Sequence, residues 1–178
     1  MKQQLIILSD LWGSEKSDWL IYYTHILNQK YDIVYYDSCL LGNVDTSSND
    51  QQLIHQQFVE GGIRKAVSQL IELEQNPIKI LAFSIGGLIA WRYGLLTGNI
   101  KSLICISSTR LRKEVYKPKG EIELYFGDKD AYRPPMEWFI NQNVKFEVIP
   151  NKHHEIYTER EFAEELSLNI CNHQSHKK

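Results

Sequence analysis

The chain predicts an α/β fold: a doubly wound, mainly parallel sheet of six strands with helices on both faces. Three observations predict it. Short apolar runs bounded by turn residues alternate with helix-length segments along the chain. Two of those runs, residues 5–7 and, Lys79 apart, 78–81, read as apolar stretches of the kind buried on both sides of a sheet. Helix-length segments separate most of the runs, and parallel neighbours need such crossover connections.

In chain order, strands are expected at residues 5–9, 33–37, 78–83, 102–107, 122–126 and 144–149. Helices are expected at 18–28, 53–74, 87–96, 135–141 and 159–170. The first helix shows the reasoning: Trp19, Tyr22, Tyr23 and Ile26 line one helical face. Residues 109–120, between the fourth and fifth strands, barely suffice for a parallel crossover and leave no room for a lid. With no repeat and no linker, residues 1–178 read as a single domain, the last of them, about 171–178, as a frayed polar tail. Right-handed crossovers restrict such a sheet to a few strand orders, and ligands bind beyond the carboxyl ends of its strands. The residues just after each strand are therefore where chemistry is sought.

Composition narrows the function classes. Of 178 residues, 43% are apolar and 24% charged, which is ordinary globular usage. The 20 basic and 22 acidic side chains leave a net charge of −2, whereas a nucleic-acid or membrane-surface binder needs a basic excess. No apolar run approaches the ~20 residues that cross a bilayer, so no membrane insertion is expected. Asp10 cuts the N-terminal apolar stretch short, against a secretory signal. The three cysteines, Cys39, Cys105 and Cys171, lack metal-ligand spacing and read as reduced thiols of a cytoplasmic protein.

The nucleophile candidate is Ser84. The third strand runs into Ala82-Phe83-Ser84-Ile85-Gly86-Gly87, and a helical pattern follows without a loop. A strand–turn–helix of this kind lifts the serine hydroxyl above the sheet, and demands small residues two before and two after it. Ala82 and Gly86 hold those places, a partial match to G-x-S-x-G. The following amide, on Ile85, points at the same spot, and the helix N-terminus favours an oxyanion there. The plainer reading is that Ser84 only caps the helix.

A serine needs a base, and the base a carboxylate to orient it. The fifth strand ends in Gly127-Asp128-Lys129-Asp130, with Pro134 soon after. Asp130 is preferred as the acid, while Asp128 suits an Asx turn. After the sixth strand comes Pro150-Asn151-Lys152-His153-His154. His154 is preferred as the base, with His153 in the place of glycine in P-x-x-G-H; a solvated surface pair is the plainer reading.

The order Ser84, Asp130, His154 on six alternating strands resembles the α/β-hydrolase superfamily over nearly the whole chain. The resemblance implies a Ser-His-Asp hydrolase acting on an ester or thioester through an acyl-enzyme, with no metal and no organic cofactor. It also implies a second oxyanion amide after the first strand, often within H-G-x-G. Here that loop reads Asp10-Leu11-Trp12-Gly13, which puts Trp12 at the oxyanion position and Asp10 and Leu11 where His and Gly are usual. Trp12-Gly13 with Phe83-Ser84-Ile85-Gly86 is further similar to pimeloyl-acyl carrier protein methyl ester esterases. Leu11 and the loop cations Arg110, Arg112 and Lys113 are candidate contacts for the substrate or an acyl carrier protein. Lys117 and Lys119 extend that basic loop, which also reads as a solvated surface. The altered Asp10-Leu11 loop and Ala82 equally suit a non-catalytic binding protein of this fold. A nucleotide binder would need a G-x-G-x-x-G or Walker loop, and none follows a strand.

Overall fold

The computed structural model describes residues 2–172. Six strands form one open sheet: β1 (Gln3–Leu8), β2 (Tyr31–Tyr36), β3 (Ile78–Phe83), β4 (Ile100–Ile106), β5 (Glu121–Gly127) and β6 (Lys145–Ile149). Their order is β2-β1-β3-β4-β5-β6, and every pairing is parallel, where a mainly parallel sheet was expected. Alternate side chains serve opposite faces, as strand geometry requires. Ile6 and Leu8 join one apolar cluster, Leu5 and Ile7 the other.

Helices α1 (Ile21–Leu27) and α7 (Arg160–Asn172) cover one face through Tyr23, Leu27, Ala163 and Leu166. The other face is covered by α2 (Ser38–Gly42), α3 (Gln51–Gln57), α4 (Ile63–Leu73), α5 (Ile85–Thr97) and α6 (Met136–Gln142). The central α5 is buried along most of its length, hence the apolar residues on all its sides. Because β1 leads outward to β2 but β3 lies on its other side, the winding reverses between β1 and β3. Their carboxyl ends flank the crevice where doubly wound sheets bind ligands.

Three expectations are corrected. The helix expected at 53–74 is interrupted by a π turn at Phe58–Gly62. There a Cβ on Gly62 would lie 2.8 Å from Val44 Cγ2, and one on Gly42 2.9 Å from the Gly62 carbonyl, so α2 meets this turn backbone to backbone. Helix α2 was not anticipated, since five residues are too few to show a helical period. Its start is fixed by Asp37, whose carboxylate accepts the Cys39 N–H at 2.7 Å and the Leu40 N–H at 3.2 Å. Residues 171 and 172 belong to α7, with Cys171 buried against the sheet, rather than to a frayed tail; 173–178 lie outside the described residues. The β4–β5 crossover holds one short 3-10 turn, Thr109–Lys113, and no helical insertion. Among the described residues no helix is long and apolar enough to cross a membrane.

Candidate active site

Ser84 sits at the turn between β3 and α5 with φ +48° and ψ −114°, a backbone conformation that non-glycine residues seldom adopt. The surroundings hold it there. Its N–H donates to the Ile106 carbonyl at 2.8 Å, and α5 begins at the next residue. A Cβ at Gly86 would lie 2.5 Å from the Ser9 carbonyl oxygen, so only glycine lets α5 start this close to the end of β1. The Ser84 side chain makes no capping bond to the helix. Its Oγ stands 3.0 Å from His154 Nε2 instead.

His154 opens a 3-10 turn, His154–Thr158, beyond β6. Its Nδ1 lies 2.7 Å from Asp130 Oδ2, and the Asp130 side chain is 2% exposed against 26% for the histidine. The other Asp130 oxygen accepts the Tyr132 N–H at 3.1 Å. A carboxylate on Nδ1 fixes the tautomer with the proton there and leaves the Nε2 lone pair for the serine O–H. Asp128 does a separate job: Oδ1 accepts the Lys152 N–H at 3.3 Å, tying the end of β5 to the histidine loop. At Gly127 a Cβ would drive into the Lys152 carbonyl, so the loop closes directly over the strand. His153 is exposed, outside the relay.

The oxyanion side differs from expectation. As the first residue of α5, Ile85 has no intrahelical acceptor for its N–H. The Trp12 N–H, expected as the second donor, is taken by Asp10 Oδ1 at 2.9 Å. Aspartate bonding the amide two residues on is an ordinary Asx turn, which a histidine at that place would not make. Asp10 Oδ2 accepts the Tyr157 O–H at 3.0 Å, and Tyr157 lies on the same turn as His154. Burial pushes the Asp10 carboxyl up to about 6; the hydrogen bonds from Trp12 and Tyr157 and the charge of His154 pull the other way without cancelling it. The sequence marked Asp10 only as a departure from the usual loop, and nothing marked Tyr157.

Ser84, Ile85, Asp130 and His154 line a cleft of about 630 Å³ together with Leu11, Arg110 and Arg112. Lys113 is exposed and outside the lining. The other loop cations leave the site, because the crossover runs to the amino end of β5. Lys117 Nζ donates to the Asn143 carbonyl at 2.8 Å, just before β6 and at the opposite end of the sheet from Ser84. A second cleft of about 610 Å³ lies at that opposite end, where Lys145 pairs with Glu123 at 2.6 Å. Size does not separate the two clefts; the serine–histidine contact does. Among the described residues no cluster of three or more His, Cys, Asp or Glu stands ready to hold a metal ion. The cysteines are free and buried, and burial pushes the Cys39 thiol up to about 12.

This architecture recurs in solved structures. A protein of the alpha/beta hydrolase superfamily from Xanthomonas campestris pv. campestris matches with a TM-score of 0.70 at 12% identity, over 97% of this chain and 99% of its own. Est1E from Butyrivibrio proteoclasticus matches with a TM-score of 0.68 at 14% identity, over 99% and 89%. A lidless a/b serine hydrolase from Xanthomonas campestris matches with a TM-score of 0.62 at 15% identity, over 98% and 84%. No family model matches the chain, and no curated protein matches it in sequence. The likeness is one of fold: this chain is an α/β-hydrolase-fold protein, with no lid in its β4–β5 crossover.

Proposed function

We propose that the protein is a serine hydrolase that cleaves a carboxylic ester or thioester through an acyl-enzyme. The observation that supports it most is the relay of 3.0 Å and 2.7 Å joining a strained Ser84 to His154 and buried Asp130. In this reading Ser84 Oγ attacks the acyl carbon as His154 Nε2 takes its proton. Asp130 steadies the imidazolium, which then protonates the leaving alcohol or thiol. Water, activated by the same nitrogen, releases the acid. The Ile85 N–H and the α5 dipole face the oxyanion, and the Trp12 N–H joins them once it turns from Asp10. Lys113, beside the cleft, offers a charge to an acidic acyl carrier.

A second reading, a binding protein of hydrolase fold, is favoured by one observation: Asp10 occupies the Trp12 amide. Labelling with a fluorophosphonate separates the two. Stoichiometric modification, abolished by Ser84→Ala, is expected, with ester hydrolysis falling at least about a thousandfold. His154→Ala should match that loss and His153→Ala should not. An intact folded protein that takes no label would exclude the hydrolase.

A further inference from the structure

Building on that hydrolase reading, we propose that the substrate carries a fixed anion, a carboxylate or phosphate, which Arg110 and Arg112 bind inside the cleft while Ser84 faces the acyl carbon. Both arginines come from the 3-10 turn after β4, the strand beside β3, and both are half-buried in the cleft wall. Neither has a carboxylate partner among the described residues. Glu114, the nearest acid in sequence, is held by Arg92 through Nε at 3.1 Å and Nη2 at 2.7 Å. Asp130 is held by His154.

The environment disfavours the charge of Arg110: burial and the charges of Arg112 and Arg92 act against it, and Glu114, already held by Arg92, offsets them only in part. Its Nε is buried without a hydrogen-bond partner, and its Nη1 lies 3.5 Å from His55 Nε2. A guanidinium can only donate, so His55 accepts in its neutral form. Burial and the charges of Arg110, Lys113 and Arg112 favour that form by lowering the His55 pKa. Arg112 is fixed at the rim, with Nη1 on the Thr109 carbonyl at 2.8 Å and its guanidinium 5.6 Å from the Tyr132 ring centre. A half-buried cation without a counter-charge costs stability, and forked guanidinium donors match two oxygens of a carboxylate or phosphate.

The cleft is also polar in one direction. Its exposed acid, Glu155, follows β6, two strands from β4 and so ~10 Å across the sheet. An anion is repelled from the histidine side and drawn to the arginine side, which orients the ester between them. The contact lies away from the reacting carbon and is present before and during reaction, so it belongs in KM.

The test compares three 4-nitrophenyl esters by release of nitrophenolate: the mono-ester of suberate, the same compound with its far carboxyl methylated, and a hexanoate bearing a terminal phosphate. At least one anionic ester should exceed the neutral one in kcat/KM by on the order of tenfold or more, through KM and less so as salt rises. Arg110→Gln with Arg112→Gln should bring that ratio near one. If the double variant does not fold, Arg112→Gln alone serves the same comparison. Equal kcat/KM on all three esters, or an unchanged ratio in the arginine variant, overturns the proposal. If no ester is cleaved, the hydrolase reading fails by itself, and calorimetry with suberate then decides. Saturable binding that the arginine variant loses keeps the anion site, and its absence overturns it.

Discussion

Asp10 holds its position at an electrostatic cost. It is 1% exposed and accepts two hydrogen bonds, yet burial pushes its carboxyl up from 3.8 to about 6. Between those values the folded protein keeps a proton that the unfolded chain releases, so this residue's contribution to stability falls as pH rises through the window. Above the window the full penalty applies, ~3 kcal/mol; below pH 3.8 it is absent. Asp10→Asn should therefore unfold at higher urea than the parent at pH 8 and match it near pH 3.5. A gain equal at both pH values would exclude the charge as its cause. Sequence reasoning pointed to Ser84, Asp130 and His154 because each lies in the segment after a strand's carboxyl end, where a doubly wound sheet puts its ligands. It could not find that Asp10 binds the Trp12 amide, because one local turn decides which atom an N–H meets. Nor could it separate Arg110 from Lys113, which differ only in which way the turn faces them.

At the scale of elements, the histidine loop owes its place to the end of β5. Gly127 leaves no room for a side chain under the Lys152 carbonyl, and Asp128 holds the Lys152 amide from the same side. Gly127→Ala should push the loop outward and lengthen the 3.0 Å serine–histidine contact. A displacement near 1 Å can cost about a hundredfold in rate, so kcat is expected to fall ten- to a hundredfold while the circular dichroism spectrum stays native. An unaltered kcat would show that the loop is positioned from elsewhere. Five helical stretches were legible, and they cover every α-helix described but α2, the second stretch having broken into α3 and α4. Its break follows from backbone contact between Gly42 and Gly62, which no periodicity records. Strand ends moved by up to two residues because pairing with a neighbour, rather than the strand's own composition, sets where the ladder stops.

For the molecule as a whole, alternation of strand and helix was enough to imply the sheet, whereas right-handed winding left a few strand orders open, of which the structure has β2-β1-β3-β4-β5-β6. Charge distribution was less legible. The basic loop looked like one patch in sequence, but it crosses from the carboxyl to the amino end of the sheet and scatters its cations over both ends. Of the loop cations, Lys113 is the one that follows Arg112 directly, is exposed and stands outside the cleft lining. Lys113→Glu should slow hydrolysis of an acyl-carrier thioester several-fold at low salt and little at high salt, since steering by exposed charge is screened. Measured kcat/KM independent of salt in both proteins would rule out electrostatic docking there.

The torsion at residue 84 sets selection for folding against selection for work. A glycine at φ +48°, ψ −114° would relax a conformation that costs serine of order 1–3 kcal/mol. Ser84→Gly is therefore expected to melt at a higher temperature than the parent while hydrolysing nothing, and a Tm at or below the parental one would refute the strain. A library sorted only for heat resistance would drift toward glycine at this position and lose its chemistry. A lineage that keeps serine there keeps it against that drift.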